Sequence, residues 1–256
     1  LYMKFGIIGH GFVGHATSLL TCIDNECFIY DLDPTKCVPI HTTLQDIYMC
    51  DIIFISVPTP MEKNGKCHIN IIQSIIQDMS KYIDLNKNIV ILRSTIPPGT
   101  SDTMNCYFMP EFLTEKKYKE DFIHNQQWIF GLKDEHAYSS QNNTFKIIIH
   151  NLFNNAYINN KIHFNNIHFI PNKEAEMVKL FRNSFLATKV AFCNEIHEFC
   201  QLQNIDYNTV IKHATLDNRI TGSHTQVPGP DGKYGFGGTC FPKDCNNLHY
   251  EMNQLY

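Results

Sequence analysis

The sequence predicts an α/β protein: a parallel sheet with helices on both faces, then a long helix and a small helical region. Three observations predict it. Apolar runs without polar alternation, at residues 52–55 and 88–92, read as strands buried on both faces. A segment of helical spacing, residues 69–82, lies between them. From residue 172 to 203 there is neither proline nor glycine, and apolar residues recur every three or four positions.

The elements follow in order. Residues 4–8 form a short apolar strand that runs into Gly9-His-Gly-Phe-Val-Gly14 and a helix-like 16–20. A second strand, 27–30, ends in Asp31, and a later one is expected at 128–131. After Pro171 the texture changes. Met177, Leu180, Phe181, Ser184, Phe185, Thr188, Phe192 and Ile196 lie along one side of a helix about 45 Å long. Such a helix exceeds the surface of one small domain, so a connector or a dimer spine is expected. Shorter helices are expected at 206–213 and after Pro242, and the asparagine-rich 154–166 reads as a polar loop. The expected division is residues 1–170 and residues 171–256.

Composition bounds the function. The chain has 256 residues, 43% hydrophobic and 18% charged, which is enough to bury a core. Net charge is −4 and no Lys/Arg block stands out, so no nucleic-acid partner is expected. The apolar runs fall short of the roughly 18 residues of a membrane span. No membrane partner and no signal peptide are expected, and the expected location is cytoplasmic. The ten cysteines include no Cys-x-x-Cys, the close pairs being Cys22/Cys27 and Cys240/Cys245. Reduced thiols and no metal are the expectation.

Gly9-x-Gly11-x-x-Gly14 stands between a strand and a helix, and an acid follows 20 residues past Gly11. In that context the first glycine makes a tight turn, the second admits a pyrophosphate, and the third lets helix pack on strand. The sheet is therefore expected to be Rossmann-type. Gly9, Gly11, Phe12, Val13 and Gly14 would hold the cofactor, with Asp31 accepting the ribose hydroxyls. An acid there repels a 2′-phosphate, which favours NAD over NADP. A chance glycine turn is the alternative.

The run Gly235-Phe-Gly-Gly-Thr-Cys240-Phe-Pro-Lys-Asp244 strips side chains from the approach to one thiol. A nearby ammonium, Lys243, would favour the nucleophilic thiolate. Taken alone, the segment is also compatible with a glycine loop ending on a buried thiol.

That run resembles the active-site loop of the UDP-glucose/GDP-mannose dehydrogenase family, of the UDP-glucose 6-dehydrogenases in particular. Similar blocks follow in the family's order: Ser56-Val-Pro-Thr-Pro60, Arg93-Ser-Thr-Ile-Pro-Pro-Gly-Thr100, Pro110-Glu-Phe-Leu113, Ala175-Glu-Met-Val-Lys179 to Asn183, Asn194-Glu195 and Asp217-Asn-Arg219. The resemblance implies NAD-dependent, four-electron oxidation of UDP-glucose to UDP-glucuronate. Cys240 would add to the intermediate aldehyde as a thiohemiacetal, and a second oxidation would give a thioester for water to cleave.

The resemblance also implies roles for other residues. Lys179 and Asn183, four apart on one helical face, would stabilise oxyanions. Asp244 and Glu111 would position or activate water, with Thr95 nearby. Lys36, Thr59, Thr95 and Lys243 would contact the cofactor. Glu111, Phe112, Leu113, Lys179, Asn183 and Arg219 would line the substrate, Arg219 often that of a neighbouring subunit in a homodimer. Gly229, Lys233 and Gly237 belong to a loop that would close over the nucleotide sugar.

Family members carry a further nucleotide-binding-type domain after this region, so a short form lacking it is expected. Met109 and Thr114-Glu-Lys116 depart from the family pattern on the substrate side. Rival readings are oxidation of GDP-mannose or a UDP-N-acetylhexosamine, a β-hydroxyacid dehydrogenase, and a silent NAD or nucleotide-sugar binder.

Overall fold

The computed structural model describes residues 1–255, with only the backbone of Glu135 and Ala137. Tyr256, the last residue of the second expected region, lies outside the described residues. The chain divides into two compact units. The first comprises residues 1–60 and 67–179, the second residues 61–66 and 180 onward.

The first unit is a sheet of seven strands among the described residues: β1 (Met3–Ile8), β2 (Asn25–Tyr30), β3 (Ile52–Ile55), β4 (Ile89–Leu92), β5 (Tyr107–Phe108), β6 (Trp128–Leu132) and β7 (Ile167–Pro171). Their spatial order is β2-β1-β3-β4-β5-β6-β7. The unbroken apolar runs make sense in this sheet. Phe5, Ile7, Ile52, Phe54, Ile89 and Ile91 enter one core layer. The residues between them, Ile8, Ile53, Ile55, Val90 and Leu92, enter the other. Alternate side chains of a strand point to opposite faces, so a strand covered on both faces is apolar throughout. Each such side chain, fully buried, contributes roughly 1.5–3 kcal/mol.

The chain leaves β1 for β2 on one side and returns to β3 on the other. That reversal opens a crevice at the carboxyl end of β1, where such sheets bind ligands. Into it run α1 (Phe12–Ser18) and the loops before α2 (Leu44–Tyr48) and α3 (Asn70–Met79). Beyond β4 come α4 (Thr100–Thr103) and α5 (Tyr118–Ile123).

Two features depart from expectation. The sheet is mostly parallel, but β5 pairs antiparallel with β6, through Phe108 and Gly131. The asparagine-rich 154–166 is only partly loop. Helix α6 (Glu135–Ile158) occupies its start, and β7 follows it directly. Phe145, Ile149, Leu152, Phe153 and Ala156 form the buried stripe of α6, and this apolar spacing overrides the polar composition.

Helix α7 (Asn172–Leu202) has 31 residues, about 46 Å, and passes from the first unit into the second. The second unit adds α8 (Tyr207–Ala214) and α9 (Cys240–Asn253), around a small core of Cys193, Cys200, Tyr207 and Val227. Among the described residues, no helix is long and apolar enough to cross a membrane.

Just after β6, Lys133 is buried with its Nζ donating to Leu85 O (3.1 Å) and Gln141 Oε1 (3.3 Å). Burial pushes this ammonium down to about 8 from 10.5. Between those values the unfolded chain carries a proton that the folded chain lacks, so stability gains as pH rises. Lys133→Met should therefore be more stable than wild type at pH 7. That advantage should shrink by up to about 3 kcal/mol between pH 8 and 10.5, as read by urea unfolding at both ends of the window.

Candidate active site

The glycine turn after β1 is built for close approach. Gly9 sits at φ +94°, and a Cβ there would lie 2.8 Å from Ser56 O. A Cβ on Gly14 would lie 1.9 Å from Gly9 O, so only glycine lets α1 start there. Gly11 is different: nothing lies within 4 Å of where its Cβ would be. As N-cap of α1 it offers no side chain to the helix's first N–H groups, which leaves those donors to an anion.

Asp31, at the end of β2, accepts hydrogen bonds from the backbone N–H of His10 (2.7 Å) and of Asp33 (2.9 Å). Its carboxylate is thereby fixed at the crevice with lone pairs to spare for ribose hydroxyls. Phe12 is exposed and packs on Tyr118, with ring centroids 5.4 Å apart. Val13 is half-buried in the same turn. Lys36 ends a short 3₁₀ turn, and its carbonyl lies 2.7 Å from the His10 ring. Thr59 and Thr95 are both buried, and the Thr59 hydroxyl donates to Thr95 O at 2.8 Å. The glycine cradle, the uncapped helix start and the ribose acid together fit a dinucleotide.

Lys179 is 3% exposed on α7, and its Nζ donates to Glu111 Oε1 (2.6 Å) and Glu111 O (2.8 Å). Burial pushes the Glu111 carboxyl up. The Lys179 ammonium, hydrogen bonds from Lys179 and Leu113 N–H, and the Arg93 charge outweigh that and hold it below the usual carboxylate range. Phe112 lies under the ammonium, its ring centroid 5.8 Å from Nζ.

Sequence reasoning missed three residues around this pair. Arg93 is fully buried, hydrogen-bonded to the Thr17 hydroxyl, and lowered to about 10 by burial. Glu176 is fully buried and accepts the backbone N–H groups of Gly99 and Ser101. Burial pushes its carboxyl up to about 7. Asn172 donates to Asp102 Oδ1 (2.7 Å) and Cys106 O (2.9 Å). The spacing Asn172, Glu176, Lys179, Asn183 is a polar stripe down one helical face, a signal present in the sequence.

In the second unit, Asn183 Nδ2 donates to Asp244 Oδ2 at 2.6 Å, joining α7 to α9. Both residues are buried. Cys240 is half-buried and is the first residue of α9. The helix thus begins at the thiol rather than after Pro242, because proline is tolerated in a first turn whose N–H groups have no helical partner. Lys243 Nζ lies 3.7 Å from Asp244 Oδ1.

The rest of the expected set is spread along the surface. Gly229 N–H donates to Lys233 O at 2.8 Å, closing a turn. Gly237 has open space around it. Arg219 is 88% exposed and paired with Asp217, with Nη2 to Oδ2 at 2.5 Å.

Residues 38–149 match the UDP-glucose/GDP-mannose dehydrogenase family's NAD binding domain, and residues 173–256 match its central domain. Together the matches cover well over half of the chain. The chain belongs to the UDP-glucose/GDP-mannose dehydrogenase family.

Similar relatives within this family include the UDP-glucose 6-dehydrogenase of Rickettsia prowazekii (strain Madrid E), 27% identical over 290 residues, spanning 96% of this chain and 62% of the relative. The putative UDP-glucose 6-dehydrogenase YtcA of Bacillus subtilis (strain 168) is 28% identical over 293 residues, spanning 98% and 64%. The chain thus spans less than two thirds of the length of these relatives. Among solved structures, a UDP-glucose dehydrogenase from Pyrobaculum islandicum shares the fold with a TM-score of 0.79 at 22% identity, over 100% of this chain and 65% of that one. The Mycobacterium tuberculosis 3-hydroxyisobutyrate dehydrogenase, solved with L-serine, shares it at 0.68 and 13% identity, over 100% and 88%. The NAD-binding match, residues 38–149, falls almost entirely within the first unit.

Removing one partner of the Lys179–Glu111 pair leaves a buried charge alone. Lys179→Met should cost about 3–5 kcal/mol, and adding Glu111→Gln should recover most of it. Because folding lowers the Glu111 pKa, the pair's contribution is present above about pH 4.5 and is lost as pH falls through the folded value. The wild type's margin over Lys179→Met should accordingly shrink on acidification, as measured by denaturant unfolding.

Proposed function

We propose that the protein oxidises the C6 hydroxymethyl group of UDP-glucose to the carboxylate of UDP-glucuronate, with NAD as oxidant. The observation that carries the reading is the α7–α9 link. Asn183 on one helix is bonded to Asp244 on the other, and Asp244 lies one turn after Cys240. A dehydrogenase that stops at the aldehyde has no use for a thiol there. NAD, when bound, supplies the hydride acceptor for both oxidations. The first unit's glycine turn and Asp31 would hold it, with Lys36, Thr59, Thr95 and Lys243 as further contacts.

The chain's own residues do the rest. Cys240 Sγ adds to the C6 aldehyde, forming a C–S bond and an oxyanion. Lys179 and Asn183 donate to that oxyanion, an interaction that strengthens as the charge develops. After the second oxidation a water attacks the thioester carbonyl, the C–S bond breaks, and the thiolate leaves. Asp244 takes the water's proton, and Glu111 holds Lys179 in place. Gly229, Lys233, Gly237, Phe112 and Leu113 would enclose the sugar nucleotide. The relatives named UDP-glucose 6-dehydrogenase support UDP-glucose as the sugar.

Incubation with UDP-glucose and excess NAD should give two NADH per sugar. One would indicate a simple alcohol dehydrogenase, none a silent binder, and turnover only with GDP-mannose or a UDP-N-acetylhexosamine a different sugar. Cys240→Ser should abolish glucuronate formation; undiminished production would sink the thioester.

We also infer a homodimer through α7, with Arg219 reaching the partner's site. Phe181, Phe185, Phe192 and Phe199 are 59%, 60%, 63% and 56% exposed, at spacings of four, seven and seven along one side of that helix. Burying each would contribute roughly 1.5–3 kcal/mol. The double variant Phe185→Glu/Phe192→Glu should run as a monomer in light scattering while the wild type runs as a dimer.

A further inference from the structure

The buried face of α9 carries a polar group for which the reaction above has no use. Cys240, Asp244 and Asn247 are spaced by four and three, so they share one face of the helix. Asp244 and Asn247 are each 1% exposed. Asp244 is held by Asn183 at 2.6 Å. Asn247 is not held: neither its Oδ1 nor its Nδ2 has a hydrogen-bond partner among the described residues.

Enclosing an amide carbonyl and an amide NH₂ without partners costs roughly 1–3 kcal/mol each, and a leucine would fill a similar volume without that cost. The group therefore suits a small ligand that both accepts and donates. Beside a buried carboxylate in a helix seam, that ligand is water, which commonly satisfies such groups in protein interiors.

We propose that Asn247 is a positioning residue for the hydrolytic half of the reaction. It holds a buried water against Asp244 and so fixes the carboxylate that takes the proton of the attacking water. The step balances without further reactants. The attacking water's oxygen bonds to the thioester carbon, its proton passes to Asp244, the C–S bond breaks, and Cys240 leaves as thiolate. Asn247 touches neither the sugar nor the thiol in this scheme. It acts through Asp244, which places its effect in hydrolysis and not in the oxidations.

The inference rests on the reading of Cys240 as the thioester-forming residue, and its test separates the two. Rapid mixing of the protein with UDP-glucose and excess NAD follows the burst of NADH, and acid quench with intact mass spectrometry follows the covalent adduct on Cys240. Asn247→Leu should keep a burst of two NADH per site at a rate within about twofold of wild type. Its steady state should fall about tenfold, the worth of one hydrogen bond, with the adduct accumulating. Asn247→Ser, which keeps a hydroxyl for the water, should lie between the two and covers a leucine variant that fails to fold.

Wild-type steady state without adduct in Asn247→Leu overturns the proposal. So does an equal loss of burst and steady state in both variants, which marks a purely structural role. A wild type that yields one NADH per sugar and no adduct removes the thioester itself, and the proposal falls with it.

Discussion

A buried ammonium must be answered inside the fold, and Lys179 is that constraint. At 3% exposure it cannot be left to solvent. Its answer is Glu111, which reaches it with both a carboxylate and a backbone carbonyl. Glu111 is in turn fixed by the Leu113 N–H and lies within the field of Arg93. The segment after β5 and the first turns of α7 therefore determine each other. Lys179 and Arg93 thus flank Glu111 in this interior, with the Glu176 carboxyl one turn before Lys179 on α7.

The remaining polar residues at the start of α7 serve the same end. Asn172 and Glu176 lie two turns and one turn before Lys179, and both are bonded to the segment between β4 and β5. Glu176 accepts from two backbone N–H groups, of the buried Ser101 and the half-buried Gly99, neither of which has a helical acceptor there. The β5–β6 reversal belongs to this arrangement as well. A Cβ at Gly131 would lie 2.4 Å from Asn172 Oδ1, so the glycine makes room for the helix to start across the sheet.

The same physics decides what could be read from the sequence. Ile52–Ile55 was legible because a strand covered on both faces has no polar position to blur it. The glycine turn was legible because each glycine answers to a separate requirement of the backbone or of a ligand. Helix α6 and β7 were not, because composition misleads there. Asn142 and Asn155 are buried and bonded to backbone carbonyls, Lys133 O and Leu1 O. An asparagine used as an internal hydrogen-bonding group looks, in one dimension, like an asparagine in a loop. The two residues of β5 are too short a run to show any period. At the site, helical spacing puts Lys179 and Asn183 on one face, but the family resemblance is what singles them out, and the Glu111–Lys179 contact spans 68 residues. No local pattern encodes it, and only the family resemblance pointed there.

The cysteine segment shows how a correction of local structure sharpens the chemistry. With α9 starting at Cys240, the thiol stands at a helix N-terminus, whose partial positive charge favours a thiolate. Lys243 meanwhile lies toward Asp244. The preceding glycines divide into two kinds. Gly235 and Gly238 have φ of +75° and +78°, so the backbone needs them. Gly237 has no such φ, and nothing lies within 4 Å of its absent Cβ. Nothing in the chain's own packing asks for glycine there. Under the proposed reaction, that opening leaves clearance for the sugar nucleotide to reach the thiol.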